Sequence, residues 1–402
     1  MNPKIMGSVK NPADQPEPRD TYKIAYIIHF LLGAGNLLPW NAFITAVDYF
    51  GFLYPTKHVE KAFSVAYMSS SVLVLFLMLI WGSCFGKLSS RLTLNLGFSM
   101  FVVSLMVPPV IDWAWCTGSS ERSNGTYVVT VASVAICGLA DGLVAGSLMG
   151  SAGRLPKQYM QAVFAGTASS GVLVSILRIS TKALLPQNQK GLRTSAHLYF
   201  LVSTIILLCC VVCCNLLYKL PVMQQHFRLL QDDDPFCLRP QIRGVARKIR
   251  WAAFGIFTTY IVTLSIFPGF IAENLESKFL KDWYPILLIT AYNIADLVGK
   301  SLTAVYILQN LKKATWACIA RLVFYPLFTA CLHGPTWLKT EIPMVFLTFM
   351  LGLTNGYLTS VMMIRVPKSV PVSEAELSAI VMIVFLGLGL VGGSVLGWFW
   401  II

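Results

Sequence analysis

Charge is what this chain has least of. Only 12% of its 402 residues are Asp, Glu, Lys or Arg, against 56% hydrophobic, and the mean hydropathy is +0.67. A soluble domain carries about twice that charged fraction. Such a composition excludes a soluble fold and leaves an all-α polytopic membrane protein, whose backbone polar groups are satisfied inside each span. Acidic residues are scarcer than basic ones, 18 against 31, for a formal charge of +13. The basic residues sit in connections between apolar runs, so topology accounts for them and no nucleic-acid partner is expected. Histidine is also scarce. The five, His29, His58, His197, His226 and His333, are scattered and lie mostly at the ends of apolar runs. No Walker loop, dinucleotide fingerprint or His-Glu-x-x-His motif is present, so neither an enzyme nor ATP coupling within the chain is expected, and no cofactor or metal is called for. Residues 1–21 are polar and proline-rich without the basic start and short apolar core of a signal peptide, and they read as a disordered cytosolic tail.

Cysteine is present but in the wrong places for a disulfide framework. Most of the ten fall inside apolar runs, with Cys116 in an expected outer loop and Cys237 in an inner one. Cys209-Cys210-Val211-Val212-Cys213-Cys214 has metal-like spacing, but no histidine is near. Buried cysteines packing as small hydrophobes are the better reading.

What is abundant is long apolar segments. Eleven reach helix length, at about 23–46, 63–86, 92–112, 128–150, 159–181, 197–218, 251–271, 283–308, 314–333, 342–364 and 378–401. An odd count puts the termini on opposite sides. With the N-terminus in the cytosol, inner Lys and Arg outnumber outer ones by about two to one, as the positive-inside rule requires. Asn124-Gly125-Thr126 then lies in an outer loop, where Asn124 is a candidate for glycosylation. The expected domains are a six-helix bundle over 22–218, a cytosolic linker over 219–250 and a five-helix bundle over 251–402. The linker holds Asp232-Asp233-Asp234-Pro235 and a basic end suited to an anionic leaflet.

The two halves echo each other. Gly138-Leu139-Ala140-Asp141-Gly142 matches Gly352-Leu353-Thr354-Asn355-Gly356. Arg154-Leu155-Pro156-Lys157 matches Arg365-Val366-Pro367-Lys368, and Pro39 matches Pro268. Counterparts six spans apart imply two parallel repeats about an axis along the membrane normal, which is transporter architecture.

Asn293, Asp296 and Lys300 in the eighth segment fall within roughly a 60° arc of one helix face. An acid or lysine at mid-bilayer depth costs about 2.5–3.5 kcal/mol, so this face does not look at lipid. It is either a self-neutralising pair that pins the helix to its neighbours or, the preferred reading, a polar stripe lining a solute cavity. In the first segment Trp40, beside Pro39 and Asn41, shares a face with Leu37 and Ile44 and is placed to stack on a flat ring. Gly138, Gly142, Gly146 and Gly150 recur every four residues, and Ala162, Ala165, Gly166, Ser169 and Ser170 repeat the habit. Both are close-packing faces compatible with sliding. Arg178 and Arg321 are expected to snorkel to the interfaces. Glu374 and Glu376 are expected to meet inner arginines, Arg365 among them, as a cytosolic gate.

These motifs resemble the equilibrative nucleoside transporter family over nearly the whole chain. Gly33-Ala34-Gly35-Asn36-Leu37-Leu38-Pro39-Trp40-Asn41-Ala42-Phe43-Ile44-Thr45-Ala46 is similar to its first-span signature. Asn293-x-x-Asp296-x-x-Gly299-Lys300-Ser301-Leu302, Arg321-Leu322-Val323-Phe324 and Asn355-Gly356-Tyr357-Leu358 are similar to its eighth, ninth and tenth. Asp48-Tyr49-Phe50 and the run from His58 to Lys61 look most like plant members. The resemblance implies eleven spans in a major-facilitator-like 6+5 arrangement of two bundles, a monomer in the bilayer, and alternating-access passage of purine and pyrimidine nucleosides through a central cavity. By motif, Leu37, Trp40 and Ile44 would touch the nucleoside, Asp296 and Lys300 the ribose hydroxyls, and Leu390 the base; Asn41 and Asn293 join them as candidates. Gly166 and Gly171 would match fifth-span glycines that affect transport.

There are two departures from the family pattern. Lys300 stands where the family commonly has arginine, so a fork donor becomes a single ammonium. Ala145 stands where some animal members carry a base-reading glutamine, which makes Asp141 a candidate for that task. The resemblance to plant and protozoan members also implies proton coupling through Asp141 or Asp296. With Lys300 one turn from Asp296, Asp141 is favoured. A carrier of organic cations, monoamines or nucleobases, and a non-transporting receptor or sensor, are the alternatives. The plasma membrane is preferred to the vacuolar one, since the tail has no obvious acidic dileucine signal.

Overall fold

The computed structural model describes residues 20–55, 57, 59–80, 90–114, 124–186, 188–225, 242–267, 280, 283–333, 335 and 340–397. Most of the 1–21 tail, Cys116, Asp232–Pro235, Cys237 and Pro268 lie outside the described residues. The described residues form helices α1 (Ile24–Thr45), α2 (Val47–Leu53), α3 (Val59–Ile80), α4 (Ser90–Ala114), α5 (Asn124–Arg154), α6 (Lys157–Leu184) and α7 (Gln189–Leu217) in the first half. In the second half they form α8 (Ile242–Ile266), α9 (Tyr284–Leu302), α10 (Leu311–Ala320), α11 (Phe324–His333), α12 (Glu341–Arg365) and α13 (Val372–Gly397). Ten segments among the described residues are long and apolar enough to cross a membrane, α10 and α11 counting as one.

Three details differ from the sequence expectation, each for a local reason. Asn124 is the first residue of α5 and exposed there, whereas a loop was expected. Helix α9 stops at Leu302. The Thr303 hydroxyl donates to the Lys300 carbonyl at 2.6 Å, and Asn310 caps α10 by accepting from the Lys312 and Lys313 amides. The ninth apolar segment is broken into α10 and α11 by a 3-10 turn at Arg321–Val323. Pro326, three residues on, has no N–H to give the Leu322 carbonyl, so the α ladder is interrupted there.

Helix pairing repeats between the halves. In the first, α1 lies against α6 and α3 against α5; in the second, α8 lies against α13 and α9 against α12. The repeat extends to atoms. A Cβ added at Gly138 or Gly142 of α5 would meet the carbonyls of Tyr67 and Ser71 on α3. One added at Gly352 or Gly356 of α12 would meet those of Tyr292 and Asp296 on α9. Tyr67 packs on Trp40 with ring centroids 4.7 Å apart, and Tyr292 stacks on Phe267 at 3.8 Å. The expected glycine seam of α5 therefore exists and faces α3, with Gly146 against Met78. The seam between α1 and α6 is reciprocal: Gly33 abuts the Val163 carbonyl and Gly166 abuts the Phe30 carbonyl. The two halves meet chiefly where α9 crosses α6 and where α13 lies on α3 and α5.

Cys210 and Cys214 are buried and Cys209 is exposed; the Cys210 thiol donates to the Leu31 carbonyl at 3.3 Å. They serve as packing residues. Among the described residues no group of three or more metal-ligand side chains gathers.

Because the backbones of α1 and α6 touch at Gly166, Gly166→Val should destabilise the protein by about 3 kcal/mol or more, since the clashing atoms are main chain. Gly51→Ala, where an added Cβ meets nothing within 4 Å, should be neutral or stabilising by up to about 1 kcal/mol. Thermal unfolding of the two purified variants in one detergent checks both.

Candidate solute-binding cavity

A cavity of about 240 Å³ lies between the two bundles and is lined from both. It falls below the roughly 300–1,000 Å³ of sites for drug-sized ligands. One wall comes from α1, α3, α5 and α6, the other from α8, α9, α12 and α13. Leu37, Trp40, Asn41, Ile44, Asp141, Asn293, Asp296, Lys300 and Leu390 all line it, so residues far apart in sequence converge as expected. The lining extends to Thr45, Arg178 and Ile286, at the end of the molecule opposite the N-terminus. At the other end it stops near Met149, Phe164 and Lys300.

The charged pair sits in the wall, 7% exposed at Asp296 and 4% at Lys300. Lys300 Nζ donates to Asp296 Oδ2 at 2.9 Å and to Thr167 Oγ1, across the bundle interface, at 3.2 Å. Asn355 Nδ2 donates to Asp296 Oδ1 at 2.8 Å. A carboxylate has about four acceptor sites and an ammonium three donors, so two acceptor sites and one donor stay open. The pair links α9 to α6 and α12 and lies on the cavity lining.

Sequence reasoning missed the third charge. Arg321 does not snorkel; it is 3% exposed, turned inward at the 3-10 turn. Its Nη2 donates to Thr263 Oγ1 at 2.7 Å and its Nη1 to Thr354 Oγ1 at 2.8 Å. Thr263 Oγ1 lies 3.0 Å from Asn355 Oδ1. A chain of polar contacts thus runs from Arg321 through Thr263, Asn355, Asp296 and Lys300 to Thr167, crossing from the second bundle to the first. A signal was available, since an arginine amid apolar residues, five before the proline of a Pro-Leu-Phe run, is rarely lipid-facing.

Other expected residues divide. Asn293 bridges the bundles, donating to the Gly171 carbonyl at 3.2 Å and Ser175 Oγ at 2.8 Å, and Gly171 offers the space for it. Asn41 donates to Ser170 Oγ at 2.9 Å. Asp141 accepts from Ser71 Oγ at 2.6 Å, in the position that Asn355 holds in the other half. Arg178 binds Asp48 and the Thr45 carbonyl, both at 2.5 Å, instead of reaching for an interface alone. Of the expected gate, Glu376 does meet an arginine, Arg154, at 2.7 Å across the bundles. Glu374 instead binds Lys248 of its own half at 2.7 Å, and Arg365 donates to the Gln309 carbonyl. Neither crosses between bundles, because both point along the surface of the second half. Lys368 supplies the missing contact, donating to the Leu155 carbonyl at 2.6 Å.

Two helical bundles enclosing a largely apolar cavity with a few polar groups define the major facilitator fold. The proton:xylose symporter of that superfamily, solved with 6-bromo-6-deoxy-D-glucose, superposes with a TM-score of 0.62 at 14% identity, covering 95% of this chain and 89% of that one. The superfamily transporter FucP, in the outward conformation, gives 0.60 at 10%, covering 95% and 91%. The nucleoside transporter family model matches residues 131–239 and 236–402. The chain is 65% identical to Equilibrative nucleotide transporter 8 of Arabidopsis thaliana over 97% of its length and 98% of the relative's. It is 50% identical to Equilibrative nucleotide transporter 1 of the same plant over 96% and 88%. The chain belongs to the equilibrative nucleoside transporter family, alongside plant members, and the family is one of transporters and not of enzymes.

Removing Asp296 leaves the buried Lys300 without its counter-charge, so Asp296→Ala should cost about 3–5 kcal/mol. Adding Lys300→Met should recover most of that loss. Thermal unfolding of the single and double variants measures the coupling, and equal losses in both would contradict the buried-pair account.

Proposed function

We propose that this protein carries nucleosides across a membrane by alternating access. The observation that carries the reading is a cavity whose two kinds of wall match the two halves of a nucleoside. Leu37, Trp40, Ile44 and Leu390 offer apolar and aromatic surface for a flat base. Asn293, Asp296 and Lys300 present polar groups for sugar hydroxyls, with acceptor and donor capacity left over. Charge supports a neutral solute. Around the cavity Asp141 and Asp296 balance Lys300 and Arg321, and Arg178 is matched by Asp48, so a phosphate would enter without a free counter-charge.

The span count is eleven in this reading, in a 6+5 arrangement with bundles over 22–218 and 251–402 joined by the 219–250 linker. Helix α9 is the additional span: 19 residues at about 1.5 Å each reach roughly 28 Å, and only its polar stripe lowers its hydropathy. The N-terminus is cytosolic and the C-terminus external, on the charge asymmetry of the connections. The Arg154–Glu376 and Lys368–Leu155 contacts then close the cytosolic side of an outward-facing state. Purine and pyrimidine nucleosides are the substrates. Asp141, the lining carboxylate with a hydroxyl and no cation as hydrogen-bond partner, carries a coupled proton. The protein works as a monomer in the plasma membrane, with Asn124 on the glycosylated face.

Radiolabelled adenosine and uridine uptake in a transport-deficient cell, at two external pH values with and without a protonophore, tests this. Accumulation above control, faster at the lower pH and lost in Asp296→Asn by at least about tenfold, is expected. Asp141→Asn should abolish the pH dependence. Absence of uptake by protein that reaches the surface, or its replacement by monoamine uptake, would sink the proposal. Binding without accumulation would favour a receptor.

A further inference from the structure

Among the buried side-chain atoms left without a hydrogen-bond partner in the described residues, one lies on a residue that lines the cavity: Oδ1 of Asn36. Asn36 is 5% exposed and sits one turn from Trp40 on the same face of α1. Its neighbours explain why no internal partner reaches it. Gly33 and Gly35 bring α1 flush against α6 and α7, leaving the Asn36 face to the cavity. Asn41, five residues on, is satisfied by Ser170, and Asn293 and Asn355 are satisfied across the wall. An amide oxygen closed off and unpaired is unfavourable in the empty protein, and a turn of the Asn36 amide toward an arriving ligand N–H removes that penalty.

The same wall carries a second acceptor. Asp141 lines the cavity, accepts from Ser71, and faces Tyr67, whose ring packs on Trp40. Trp40 thus has one acceptor-bearing residue a turn away on its own helix and another beside the tyrosine that packs on its ring, where the proposed function puts the base. An exocyclic amino group has two N–H bonds and fits two acceptors, while an oxo group at that position offers none.

We propose, resting on the nucleoside reading above, that Asn36 reads the base: its Oδ1 accepts from an exocyclic amino group, so that amino nucleosides are taken in preference to their oxo counterparts. Asn36 side-chain pairing with adenine-like edges has the right donor and acceptor set, Nδ2 donating to the ring nitrogen beside the amino group. Asn36 is the specificity-determining member of the wall, and Trp40 supplies affinity without that choice.

The test uses two matched pairs, adenosine against inosine and cytidine against uridine, each differing by amino against oxo. Uptake KM values are measured for the full chain in a transport-deficient cell, for wild type, Asn36→Leu and Asn36→Asp. The wild type should favour the amino member of each pair by about tenfold, the worth of one buried hydrogen bond. Asn36→Leu, similar in size and unable to accept, should bring both ratios to within about twofold of unity. Asn36→Asp keeps an acceptor and should keep the amino preference. Equal handling of the four nucleosides by wild type, a preference for the oxo members, or a preference that survives Asn36→Leu overturns the assignment while leaving nucleoside transport standing. Should Asn36→Leu fail to reach the surface, Asn36→Ala, smaller and equally unable to accept, takes its place, and a preference that survives it overturns the assignment. No uptake of any of the four overturns both.

Discussion

A low-dielectric interior leaves no ionised group without a partner, and the Asp296–Lys300 pair shows how this fold meets that constraint. Neither residue is satisfied by the other alone. Lys300 reaches Thr167 in the opposite bundle, and Asp296 takes the Asn355 amide. The third charge, Arg321, joins through Thr263. Four second-bundle segments and one first-bundle helix are thereby tied to a few polar atoms, and those atoms border the cavity. An event that changes what Asp296 or Lys300 touches therefore changes what holds α9 against α6.

The same economy shows in the repeat. In each half the second span lays two carbonyls against two glycines of the fourth: Tyr67 and Ser71 in one, Tyr292 and Asp296 in the other. Polar side chains meet at matching positions, Ser71 with Asp141 and Asp296 with Asn355, with the carboxylate on opposite members of the pair. One packing solution holds different chemistry in the two halves. The first is a wall with a carboxylate and no cation bonded to it; the second is a neutralised charge pair.

Much of this was legible in the sequence, and the reason is the solvent. Long apolar runs, a polar arc at helical spacing and glycines every four residues are forced by lipid and by close helix approach, so they are written locally. The converging cavity residues followed from the motifs. What was not legible depends on rotation and partners. Arg321 looked like a snorkelling residue because the turn that faces it inward comes from Pro326, five residues later. Glu374 and Glu376 are two apart, so a helix sends them to different neighbours, Lys248 and Arg154, and only geometry says which crosses between the bundles. Asn36 lay inside the first-span motif but carried no spacing signal, since an unsatisfied oxygen is a property of surroundings.

The contacts that hold the halves together differ in what can replace them. Arg154 and Glu376 are about a third exposed, and water substitutes readily for such a pair, whose net worth is at most about 1 kcal/mol. Lys300–Thr167 and Asn293–Ser175 are set deeper, in the cavity wall, where Lys300 is 4% exposed. Ionic strength therefore acts as an uneven lever on this molecule: screening loosens the clasp near the membrane surface within a Debye length of about 8–10 Å and acts much less on the buried one at mid-depth.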